Sequence, residues 1–98
     1  MKMLFVPAEH VCDEEGMFFS DLTALKSYLS DLYKLKPSQL NFALCSCEAD
    51  QARAIERGYL FAGEIYSSSD LSFIGAWTVV PDVYQFPRLR RIYEKNSR

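Results

Sequence analysis

Two long apolar segments, Tyr59–Ser67 and Leu71–Val80, are separated only by Ser68-Ser69-Asp70. Strand-length runs on either side of a short polar turn predict an antiparallel hairpin. A hairpin alone is marginal in water, so this one belongs to a larger sheet. The two-residue period of a strand puts Phe73, Trp77 and Val79 on one face and Ile74, Ala76 and Val80 on the other. Pro81 and Asp82 end the pairing. The edge of this hairpin is one candidate contact surface, because unpaired strand edges accept partner strands.

The remaining segments supply its neighbours. Met3–Val6 reads as a short strand stopped by Pro7. His10–Cys12 and Met17–Phe19 flank the polar cluster Asp13-Glu14-Glu15-Gly16, which predicts a second hairpin. Ser20 then caps a helix whose Leu22, Leu25, Leu29 and Leu32, with Tyr28 and Tyr33, fall on one broad face. That helix ends before Pro37, because a residue preceding proline disfavours the helical region. Asn41–Ser46 alternates as a strand with apolar residues on both faces, the pattern of an interior strand. Glu48–Arg57 predicts a second helix, with Glu48 and Asp50 at its positive end, Arg53 and Arg57 at its negative end, and Gly58 at the stop. Pro87 suits the first position of a last helix over 87–98. The fold class is α+β: a single domain over 1–98, with a four- or five-stranded mixed sheet and two to three helices packed mainly on one face.

Composition bounds the function classes. A chain of 98 residues encloses one modest core. With 49% hydrophobic and 14% aromatic residues it is too apolar to remain disordered. The longest uncharged runs, Pro37–Cys47 and Leu71–Pro81, are eleven residues each, against the ~20 a membrane helix needs. The apolar run Met3–Ala8 is shorter than a secretory signal requires and no small-residue cleavage site follows. The three cysteines are odd in number, and Cys45 and Cys47 would point the same way along a strand, which argues against a disulfide framework. A soluble cytoplasmic protein with reduced thiols, and no membrane segment, is the expectation.

Candidate chemistry is sparse. His10, Cys12, Cys45 and Cys47 form two i, i+2 pairs, four ligands of the kind a structural zinc takes. Zinc sites normally leave two to four residues between paired ligands, and small buried cysteines are common, so packing is the preferred role. Cys47 at a helix start could act as a nucleophile with His10 as its base, but Glu48 and Asp50 oppose a thiolate. The glycines at 16, 58, 63 and 75 are isolated and form no phosphate loop. Neither enzyme, metal nor cofactor is expected.

Charge is distributed unevenly. Residues 1–86 hold twelve acidic and six basic side chains, whereas residues 87–98 hold five basic and one acidic. On a helix, Arg88, Arg91, Lys95 and Arg98 form a basic stripe beside the seam of Leu89, Ile92, Tyr93 and Asn96, with Arg90 and Glu94 four apart. Tyr84 and Phe86 lie immediately upstream. Tyr84, Phe86, Arg88, Arg91, Lys95 and Arg98 are therefore the candidate contact residues. The seam docks on the sheet in the plainest reading, leaving cations toward water. The leading functional expectation is a small non-enzymatic protein-binding or regulatory domain that forms homo-oligomers, because so short a chain cannot cover thirteen Phe and Tyr plus Trp77. The alternatives are a nucleic-acid-associated protein using the basic, aromatic last helix, or an unrecognised thiol or metal enzyme. The net charge of −2 counts against the former.

Overall fold

A computed structural model describes residues 2–10, 16–44, 48–56 and 61–96 of the chain. Five strands, β1 (Lys2–Pro7), β2 (Met17–Phe19), β3 (Leu40–Leu44), β4 (Phe61–Ser67) and β5 (Phe73–Val80), form one sheet in the order β2-β1-β5-β4-β3. Among the described residues three α-helices accompany it: α1 (Leu22–Tyr33), α2 (Glu48–Glu56) and α3 (Pro87–Lys95). The class is α+β, and the expected hairpin is present as β4 and β5.

Every strand pair is antiparallel, where a mixed sheet was expected. The reason is the route of the N-terminal segment. Met17–Phe19 returns directly onto β1, with Met3 opposite Phe19 and Phe5 opposite Met17. It therefore pairs with residues ahead of the expected hairpin, and Pro7 is the last residue of β1. β1 in turn lies antiparallel to β5, from Lys2 opposite Val80 to Pro7 opposite Gly75.

Alternate residues of β1 enter two separate cores. Leu4 and Val6 pack with Phe18, Val80, Val83, Leu89 and Ile92 beneath α3. Met3 and Phe5 pack with Phe19, Leu25, Leu29, Leu40, Ile65 and Ile74 beneath α1. Successive side chains of a strand point to opposite faces, so α1 and α3 cover opposite faces of the sheet. The expectation of helices mainly on one face is corrected by this. Both faces of β1 are apolar, and each requires its own cover.

Two further expectations change places. β3 forms the edge of the sheet instead of an interior strand, and the β4–β5 hairpin is interior instead of an edge. A register shift between Ile65 and Tyr66 also turns Ile74 into the α1-side core with Trp77 and Val79. Phe73 then stands opposite Tyr66, partly exposed, with ring centroids 5.6 Å apart. Counting by twos along β5 misplaces both residues because a bulge inserts one position.

Local signals account for the helix ends. The cap of α1 is Asp21, one residue after the expected Ser20, and its Oδ1 accepts from the Ala24 N–H at 2.8 Å. At the other end Lys34 adopts a left-handed conformation and its N–H returns to the Ser30 carbonyl. Leu25 and Leu29 are wholly buried, while Leu22, Leu32 and Tyr33 at the two ends of the helix remain exposed. Gly63 is required by close approach: a Cβ there would collide with the Ala43 carbonyl and the Trp77 indole that lies across it. Among the described residues, no helix is long and apolar enough to cross a membrane.

Candidate protein-interaction surface

α3 is launched by a tight polar turn. The Asp82 side chain accepts from the Tyr84 N–H at 2.9 Å and its carbonyl accepts from the Gln85 N–H. Phe86 is still extended, Pro87 takes the first helical position, and the Phe86 carbonyl receives the Arg90 N–H at 3.0 Å. Once launched, the helix lays Leu89 and Ile92 into the core, with Phe86 and Tyr93 packed beside them. The apolar seam is thus taken up by the sheet and is not open to a partner.

Docking fixes what remains outside. Arg90, Arg91, Glu94 and Lys95 are exposed, and Arg88 is half-buried with one guanidinium nitrogen out of solvent. At about 100° per residue, Arg88, Arg91 and Lys95 lie on one side of the buried seam and Tyr93 on the other. Tyr84 joins Tyr93: the two rings meet edge-on at 6.0 Å. Tyr93 meets the buried Phe18 in the same way at 5.6 Å. The three rings form a ladder from the core outward to Tyr84, which is 63% exposed. Lys2 Nζ stands 5.7 Å from the centre of the Tyr93 ring. Arg88, Arg91 and Lys95 therefore lie on one flank, while the Tyr84–Tyr93 pair on the other has Arg90 and Lys2 beside it.

Of the candidate contact residues, Tyr84, Arg91 and Lys95 are exposed, Arg88 and Phe86 are partly withdrawn, and Arg98 lies outside the described residues. Lys2 was not among them. Its place beside Tyr93 follows from β1 lying on β5, a pairing across nearly the whole chain that no local pattern announces.

Cys12, Cys45, Cys47 and the His10 side chain, the four residues of the zinc arrangement, also lie outside the described residues. Among the described residues, no three His, Cys, Asp or Glu side chains gather to hold a metal. A groove of about 450 Å³ runs beside α1, lined by Phe19, Ala24, Tyr28, Asp31 and Leu32. Near the end of that helix, partial desolvation of the otherwise exposed Tyr33 pushes its hydroxyl above the usual phenol range, with Glu9 and Tyr28 adding to the effect.

Compared with protein families, curated proteins and solved structures, the chain matches none. Its function is read from its own surface.

Proposed function

We propose that the protein is a small non-enzymatic binding or regulatory domain that acts through protein contacts and assembles with itself. The observation that carries this reading is Tyr84, a large aromatic held out into solvent by its Asp82 turn and by the edge of Tyr93. Tyrosine and arginine dominate contact energies at protein interfaces. A side chain braced along one edge has less freedom to lose when a partner arrives. Arg90, Arg91 and Lys95 on the outer surface of α3 suit an acidic partner. The three cysteines fit a reducing cytoplasm, where they remain thiols.

Nucleic-acid association, the alternative, uses stacking aromatics and phosphate-binding cations on one surface. The α3 seam separates Tyr84 from Arg88, Arg91 and Lys95 and leaves only Arg90 and Lys2 as cations described beside the aromatic pair, short of the continuous basic track a phosphate backbone follows, which favours the protein partner.

Anisotropy of a labelled poly-glutamate peptide tests this. Binding should weaken with salt. It should fall at least tenfold in Tyr84→Ala and in the triple variant Arg90→Ala, Arg91→Ala, Lys95→Ala, with thermal midpoints unchanged. Oligonucleotide affinity tighter than ~1 μM at physiological salt, beyond the usual non-specific range, together with no peptide binding, would overturn the reading.

A further inference from the structure

We infer that the outer edge of β3 is a self-association surface whose occupant is β3 of a second copy, paired about a two-fold axis through Phe42. The result would be one continuous ten-stranded antiparallel sheet, twice the five strands of the monomer. This rests on the self-assembly proposed above and assigns it a surface.

The sheet has two edges, β2 and β3, and they differ. β2 is three residues long, and its outward Phe18 N–H is taken by the Asn96 carbonyl at 2.8 Å. β3 is five residues long, and among the described residues no strand pairs with its outer side. Edges that stay single are usually guarded by a lysine, a proline or a bulge. Leu40–Leu44 contains no charge and no proline.

Hydrogen-bond phase identifies the groups on offer. The Ser68 N–H donates to the Gln39 carbonyl at 2.8 Å, so Gln39 turns its carbonyl inward toward β4. Antiparallel ladders alternate. Asn41 and Ala43 therefore also bond inward, while Leu40, Phe42 and Leu44 turn their backbone groups outward. The Leu40 N–H is already held by the Pro37 carbonyl. The outward set is then the Leu40 carbonyl with both groups of Phe42 and of Leu44.

That set is complementary to itself. About an axis through Phe42, the two Phe42 residues exchange a reciprocal pair of bonds, and each Leu44 N–H meets the partner's Leu40 carbonyl. Every outward donor finds an acceptor. The one donor missing from the strand, the Leu40 N–H, lies at the end of the pairing, where only the facing Leu44 carbonyl goes without it. A two-fold axis brings like residues together; the strand itself carries no charge to set against its copy, and the cation over Phe42, Lys26 Nζ at 5.6 Å from the ring centre, comes from α1. Leu40, Phe42 and Leu44 share the α1 face, so pairing lays Leu44, 55% exposed in the monomer, against the partner's Leu40.

The test combines mass with amide exchange. Light scattering at ~100 μM, well above the dissociation constant of a stable dimer, should give about twice 11.3 kDa, with little dependence on salt and monomer on dilution. Leu44→Lys places a charge at the edge and should be monomeric at that concentration, with an unchanged thermal midpoint when both proteins are dilute. In the unmutated protein, the Phe42 and Leu44 amides should exchange at least tenfold more slowly when concentrated than when dilute, a reading that needs no variant. A dimer that survives Leu44→Lys, with exchange at those amides independent of concentration, sinks the edge. A dimer abolished only by the α3 triple variant moves the interface to α3 and keeps self-assembly. A monomer at ~100 μM overturns the edge and self-assembly together, and leaves the poly-glutamate titration to decide the partner reading alone.

Discussion

The Phe18 N–H donates to the Asn96 carbonyl at 2.8 Å, tying the residue after α3 to the outer edge of β2. The same Phe18 ring packs edge-on against Tyr93. The last helix is therefore both a lid on one core and a stop on one sheet edge.

This makes the two sides of α3 energetically unlike. Leu89 is fully buried, so Leu89→Ala should destabilise by about 2–5 kcal/mol through lost transfer energy and the cavity left behind. Arg91→Ala, at an exposed position, should stay within about 0.5 kcal/mol. Urea titrations of the two variants against the parent protein check the contrast. Equal effects would mean the helix is not docked as described.

Thr78 lies on the α3 face of β5, opposite Leu4 and buried. Among the described residues its hydroxyl has no hydrogen-bond partner. A buried hydroxyl without a partner forfeits its hydration for nothing in return. Thr78→Val keeps the shape and should stabilise by about 1 kcal/mol, read as a higher thermal midpoint. A fall of that size would mean the hydroxyl is satisfied.

Several of these features can be read from the chain alone and others cannot. Leu25 with Leu29, and Leu89 with Ile92, declare themselves by helical spacing, and packing placed each pair in a core. The β4–β5 hairpin follows from its polar turn. Strand order does not follow, because Met17–Phe19 is equally apolar toward either neighbour, and Lys2–Pro7 meets Phe73–Val80 only in three dimensions. The bulge beside Ile65 is silent in a two-residue count, which therefore puts Phe73 and Ile74 on the wrong faces. Tyr84 and the cations of α3 were visible as a composition, but their separation depends on which face of the helix docks.

Lys34 ends α1 with φ of 55°, in the left-handed region. Side chains bearing a Cβ are disfavoured there and glycine is not. Lys34→Gly should therefore stabilise by on the order of 0.5–1 kcal/mol, measured by chemical denaturation. Lys34→Val should do the opposite, since branching at Cβ worsens the same clash.

Asp70 shapes the turn between β4 and β5. Its Oδ1 accepts from the Ser72 hydroxyl at 2.8 Å and from the Ser72 N–H at 3.1 Å, and these bonds hold its carboxyl below the usual carboxylate range. A depressed folded pKa contributes stability that is present above the unfolded value and is lost as pH falls through the folded one. Ser72→Ala removes the hydroxyl donor and should move the Asp70 titration upward toward ordinary aspartate, followed by carbonyl chemical shift. An unchanged titration would place the cause elsewhere.

The position of β1 between β2 and β5 has a consequence for synthesis. As the chain emerges, β2 and α1 are available to β1 early, but its second neighbour, Phe73–Val80, is the last made of the five described strands. Until then one backbone edge of Lys2–Pro7 has no partner, and the Leu4 and Val6 side chains wait for α3, which is made later still. Long-range pairings of this kind form slowly and leave apolar edges exposed in the interval. The segment from Phe73 to Lys95 therefore acts as an assembly checkpoint. A nascent chain interrupted before Phe73 should be held by chaperones, whereas one released after Lys95 should close.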